Sequence, residues 1–198
     1  MGEIKSSWEI AMERTAGIRS DKSSIRQNEL KKDGQKIASE FMDAASANPE
    51  LITAKLKAHT REERPVVEKA LLDILLSHIV LPRGTDYQEK LQRVLEGLQA
   101  LLNNKKIIHE IGTQLSQFMA QFLQNRDQFT EELKKHYAPQ LRQKQEQLKK
   151  QYGDAIELKH EQDPEFNSLL RQNLQRMEKQ YQDALNQIKD QIRNYYGS

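Results

Sequence analysis

Two spaced runs of apolar residues in the C-terminal half constrain the fold of this chain more than anything else in it. Ile108, Ile111, Leu115, Phe118, Phe122, Asn125 and Phe129 recur at alternating spacings of three and four, as do Leu170, Leu174, Met177, Tyr181, Ala184 and Ile188. These are the seams of two long helices, each roughly 50 Å at ~1.5 Å per residue. Asn125 is the single polar residue in the first seam, and Leu185, Ile192 and Tyr195 flank the second. Between the runs stands Asp163-Pro164-Glu165: a cap, a proline suited to the first helical position, and an acid at the positive end of the helix dipole. The spacing predicts an antiparallel helical hairpin over 103–198, with its turn near 160–164 and a break near 138–139, at Ala138-Pro139. Gly153-Asp154 should loosen the first helix again.

The material suits rods better than a sphere. Hydrophobic residues make up 36% of the 198 and charged residues 30%, too apolar-poor for a large core. With 8 Gly, 5 Pro and no run alternating like a strand, the expected class is all-α.

The N-terminal half reads as shorter helices. Ile4, Trp8, Met12 (or Ala11) and Thr15 make a narrow stripe on an amphipathic helix at 1–16, followed by a polar stretch at 17–27 that reads as a linker. A helix so short needs something to pack on, so it reads as a tethered element. Residues 28–102 look like a compact helical unit. One helix passes through Leu30, Gly34, Ile37 and Phe41 to a stop at Asn48-Pro49. Another has capping-box spacing at Thr60 and Glu63 and starts near Arg64, and a third has an inner face from Leu91 to Leu102.

Chemistry finds little support. The absence of cysteine excludes disulfides, thiolate catalysis and cysteine-based zinc sites, and fits a cytoplasmic location. No apolar run approaches the roughly 18–20 residues of a membrane span. Glu157 and His160 have the Glu-x-x-His spacing of carboxylate-bridged metal bundles, but only one such motif occurs where two are needed. His109-Glu110 lacks a second histidine, since position 113 is Thr, and there is no phosphate-cradling glycine loop or nucleophile elbow. The opening Met1-Gly2 to Ser6 formally fits a myristoylation pattern, a short one with many chance matches. No catalytic residue, metal or cofactor is expected.

Charge is more informative. The net value of +2 is small, but 133–152 carries Lys134, Lys135, Arg142, Lys144, Lys149 and Lys150 against Glu146 alone. The next stretch, 153–166, carries five acids against Lys159. If the hairpin opposes 133–152 with 174–193, the basic band is not neutralised and could receive an acidic partner or nucleic acid. Solvated basic helix faces are common, however, and no aromatic platform accompanies this one.

Met1-Gly2-Glu3-Ile4-Lys5-Ser6 with Glu13-Arg14-Thr15, Ile79 to Arg83, Asn103 to Lys106, Gln124-Asn125-Arg126, Tyr137-Ala138-Pro139 and Glu161 to Phe166 together resemble a family of uncharacterised bacterial all-helical proteins. The resemblance implies a bacterial cytosolic protein and supplies no functional residues. The chain is therefore expected to be a non-enzymatic interaction or scaffold protein, binding a protein partner or a second copy through coiled-coil helices. Its candidate contact residues are Ile4, Trp8 and Met12 and the six basic residues of 133–152, with polyanion binding as the alternative.

Overall fold

The structure, a computed structural model, describes residues 7–44, 48–102, 104–153 and 157–197, with side chains from residue 22 onward. It is all-α, and no strand occurs among the described residues. The helices are α1 (Ser7–Asp43), α2 (Pro49–Lys57), α3 (Arg64–Ser77), α4 (Tyr87–Leu102), α5 (Lys105–Tyr152) and α6 (Pro164–Gly197), with one 3₁₀ turn at His160–Gln162. No helix among them is long and apolar enough to cross a membrane. The chain divides into two compact units, residues 1–79 with 90–108 and residues 80–89 with 109–198.

In the first unit α1 and α3 run side by side in the same direction. Arg26 meets Glu63 at 2.6 Å near one end, and Gly34 lies against Val67 and Ala70 further along. The return is made by short α2, which Asn48 caps by accepting the Glu50 N–H at 3.0 Å, with Pro49 in its first turn. Thr60 and Glu63 form the reciprocal capping contacts expected of them, at 3.3 and 3.4 Å. Arg93 of α4 secures the end of α1, donating to Met42 O at 2.6 Å and to Ala44 O, just past the helix, at 2.9 Å. The core is built from Leu30, Ile37, Ala38 and Phe41 of α1, Ile52 and Leu56 of α2, Val67, Ala70, Leu71 and Leu75 of α3, and Leu91, Val94 and Leu98 of α4. Leu72 and Leu76 are buried as well, so α3 uses a wider face than one stripe, while Val66 and Ile74 stay half exposed.

Two expectations are corrected. Residues 17–27 are not a linker: α1 is one helix from Ser7 to Asp43, so the opening helix is not a separate tethered element. From residue 22 the polarity of this stretch reflects a helix in solvent, since residues 22–29 are all exposed, and a helical glycine such as Gly17 costs only about 1 kcal/mol relative to Ala. Nor does the chain break at 138–139, because α5 continues through Pro139 for 48 residues, roughly 70 Å. Pro139 lies on the exposed face, where the carbonyl it leaves unpaired can be hydrated, and Tyr137 and Leu141 are anchored in a buried cluster on either side of it.

In the second unit α5 and α6 are antiparallel. Tyr181 stacks on Phe118 and Phe122 at centroid distances of 5.2 and 5.0 Å, and Tyr137 lies on Phe166 at 5.3 Å. The seam polar residue is satisfied across the hairpin: Asn125 Nδ2 donates to Tyr181 Oη at 2.6 Å. On α6 the fully buried residues are Phe166, Leu185 and Ile192, while Leu170, Leu174, Met177 and Ile188 are half-buried. α5 ends at Gly153, whose φ of +90° suits glycine and whose N–H closes on Lys149 O at 2.9 Å.

Candidate functional site

The densest polar construction lies where the hairpin turns. Asp163 caps α6: its Oδ1 accepts the Glu165 N–H at 2.9 Å, and its carbonyl takes the Asn167 N–H at 3.0 Å. Its side chain is only 2% exposed, and two groups from α5 cover it. Tyr137 Oη donates to Asp163 Oδ2 at 2.9 Å, and Lys144 Nζ reaches the same oxygen at 2.8 Å. These residues stand seven apart, two turns along one face of α5. Lys144 also donates to Tyr137 Oη at 2.9 Å and to Glu165 Oε2 at 2.7 Å, which uses its three protons. Tyr137, Leu141 and Phe166 form the apolar base, with Leu133, Leu158 and Leu170 packed around it.

A second contact tier closes the turn. His160 stacks on the edge of Phe166 at 5.1 Å, and its Nε2 lies 3.1 Å from Lys134 O, a separation that calls for the Nε2–H tautomer. Lys134 pairs with Glu131 at 3.3 Å and with Glu161 at 3.4 Å. Asn167 Nδ2 donates to Glu161 O at 2.8 Å.

The electrostatics fix each proton where these bonds need it. Burial pushes the Tyr137 phenol up, and the adjacent Asp163 acts in the same direction against the opposing pull of Lys144. Lys144 is pushed well above the ordinary lysine range by Asp163, then Glu165, then Tyr137. For Asp163 burial acts upward, but Lys144, the Tyr137 hydroxyl and the Glu165 N–H outweigh it and hold the carboxyl below its usual range. The phenol therefore stays a donor and the carboxylate an acceptor. None of the three is poised to exchange a proton near neutrality, so the arrangement clamps α5 to the start of α6.

Of the nine residues expected to make contacts, the structure describes the side chains of the six basic ones. Ile4 lies outside the described residues, and Trp8 and Met12 belong to the backbone of α1 with their side chains outside the description. Of the basic band, Lys134 and Lys144 are taken up by the turn, Lys149 is half-buried, and Lys135, Arg142 and Lys150 are exposed. The opposing segment is corrected: 158–166, not 174–193, faces 133–144, so the acidic band neutralises part of the basic one. Residues 157–159 are not helical, so Glu157 and His160 do not share a helix face. Among the described residues, no three His, Asp or Glu side chains are grouped as metal ligands.

Fold and site define an all-α protein with an antiparallel helical hairpin locked at its turn by a buried Tyr–Lys–Asp cluster. Its family follows from its sequence: the chain belongs to a family of unknown function, DUF6657, whose profile matches residues 53–194. That span includes the whole cluster. No curated protein and no solved structure matches the chain.

Proposed function

We propose that the chain is a non-enzymatic interaction protein of the bacterial cytoplasm, whose α5–α6 stem docks an amphipathic helix on another chain. The observation that carries this reading is the thin seam of α6. Beyond Phe166 its fully buried side chains are Leu185 and Ile192, while Leu170, Leu174, Met177 and Ile188 are half-buried and Leu169 is 39% exposed. A helix of 34 residues with so much partly covered apolar surface is suited to a third helix packing alongside. The turn cluster supports the same reading from the other side, since Tyr137, Lys144 and Asp163 are engaged with one another and hold the stem's register. Polyanion binding along 133–152 has less support, because Lys134 and Lys144 are engaged by carboxylates of the same chain.

Site-specific photocrosslinking from position 169, in cells and with the purified chain, tests the proposal. Discrete adducts of defined mass, lost when Leu170 and Leu174 are replaced by Gln, are expected. Only monomer-mass species from both preparations would refute docking through this face.

A further inference from the structure

The second unit holds a cleft of about 700 Å³ that the proposed docking role does not use, within the range of small-molecule sites. Three elements wall it: the non-helical segment at 80–83, α5 at Phe122 and Arg126, and α6 from Gln175 to Gln182. Its chemistry is divided. One part is apolar, made by half-buried Leu81 and by Val80, which is 61% exposed although it belongs to a non-helical connector, with the buried Phe122 behind them. The other part is cationic, with Arg83, Arg126 and Lys179 against Glu178 alone.

The cations are differently held. Arg126 is fixed: Nη1 donates to Arg83 O at 2.9 Å, its side chain is 27% exposed, and its only carboxylate contact among the described residues is at 3.3 Å with Asp127, itself 71% exposed. That pairing is solvent-screened and worth little. Arg83 and Lys179 are exposed, and neither is in an ion pair among the described residues. An anionic group entering the cleft therefore meets one preorganised guanidinium and two adaptable cations without breaking a strong pair. The α6 wall extends about 10 Å, two helical turns, which suits a short chain better than a helix of several turns.

We propose that this cleft binds a small amphiphilic anion, an alkyl-chain-sized apolar body bearing one carboxylate or phosphate head. The alkyl chain covers Val80 and Leu81, and the head is held by Arg126 with Arg83 and Lys179. The apolar body supplies affinity that a bare anion lacks, and the cations supply selectivity over neutral amphiphiles.

Calorimetric titration of the full chain with octanoate and octyl phosphate below their micelle concentrations tests this, with octyl glucoside, inorganic phosphate and a hexapeptide of alternating Asp and Glu as comparisons. Saturable binding of both octyl anions is expected, at least tenfold tighter than octyl glucoside or inorganic phosphate, with the Val80 methyl resonances shifting during titration. The octanoate and octyl phosphate arms show which head is preferred. Arg83→Gln with Lys179→Gln, both at exposed positions that folding does not depend on, should weaken binding about tenfold. Absence of saturable binding, equal binding of octyl glucoside or phosphate, or indifference to the double substitution would overturn the proposal. Tighter binding of the acidic peptide would also overturn it, in favour of a protein ligand.

Discussion

Gly34 offers the sharpest test of how the first unit is packed. A Cβ at this position would overlap the main-chain carbonyl oxygen of Val67 and sit 2.8 Å from the Ala70 Cβ and 3.1 Å from the Leu71 nitrogen. Each obstacle belongs to the helical backbone of α3 or is attached directly to it, so no rotamer change relieves the contact, and α1 and α3 must move apart. Gly34→Ala gains about 1 kcal/mol of helix propensity, whereas overpacking costs about 1–3 kcal/mol and sits at or above the top of that range when backbone is struck. The expected net loss is about 2 kcal/mol. For a unit of roughly 100 residues this lowers Tm by about 10 °C. Two other glycines serve as internal standards. At Gly97 the nearest atoms are side-chain ends of Leu75 and Phe41 at 3.0 Å, which can yield, so Gly97→Ala should change stability by less than about 1 kcal/mol. At Gly84 the nearest is Asp86 Oδ1 at 3.5 Å, an ordinary contact, and the change should be near zero. Thermal unfolding followed by circular dichroism ranks the three, and a Gly34→Ala protein melting at or above the wild type would show that α1 and α3 do not make this close approach.

The turn cluster should respond to pH in two directions. Asp163 is held below the ordinary carboxyl range, so its contribution is complete above about pH 4 and drains away as the pH falls further; Lys144 and Tyr137 are held up, so theirs is complete below about pH 10 and is lost above it. Denaturant midpoints that are flat between about pH 5 and 9 and fall outside that window are expected, and Asp163→Ala should flatten the acid limb. The same substitution removes the α6 cap and the near acceptor of the Tyr137 hydroxyl, leaving it Glu165 at 3.4 Å, together about 2–4 kcal/mol, read as faster amide exchange over 164–170. Tyr181→Phe strips the acceptor from Asn125 and should cost about 0.5–1.5 kcal/mol, a loss in denaturant midpoint that adding Asn125→Leu to the Tyr181→Phe protein should reverse. Pro139→Ala restores a helical donor on an exposed face and should raise stability, by up to about 3 kcal/mol; a decrease would mean that the proline is needed to seat Tyr137 on Phe166.

The parts legible in the sequence are those governed by local or strictly periodic chemistry. The Asn48-Pro49 and Asp163-Pro164 starts and the Thr60–Glu63 capping pair depend on residues a turn or two apart, and each lies where its spacing placed it. On α6 the spacing locates the helix but not its centre, since Leu185 and Ile192, read as flanking the seam, are the fully buried ones and Leu170 to Ile188 of the seam are half-buried. The misreadings share a different cause. Polarity at 17–27 suggests chain interruption, yet a helix exposed on all sides has the same composition as a linker. Pro139 suggests a break because its penalty is local, whereas Tyr137 and Leu141 hold the helix through contacts with residues about 30 positions away.

Register carries the largest consequence. Opposing 133–152 with 174–193 assumes a turn wide of the real one, and that shift turns a partly self-neutralised band into an apparent docking surface. The signal lies in the alternation itself: a basic stretch followed at once by an acidic one, with the cap of the next helix inside the acidic part, is the pattern of two bands of charge that close on each other. Tyr137 and Lys144, seven residues apart on one face and facing a capping Asp163, complete that pattern. A carboxylate that both caps a helix and receives a lysine from the opposite helix ties the start of α6 to one position along α5. A slide of one turn, about 5.4 Å, would break the cap contacts, the ion pair and the Tyr137–Phe166 stacking together. The weak seam beyond the turn then needs no strong specificity of its own, because its register is set at one end. It can leave apolar side chains half-covered without slipping, which a stem that docks another helix requires.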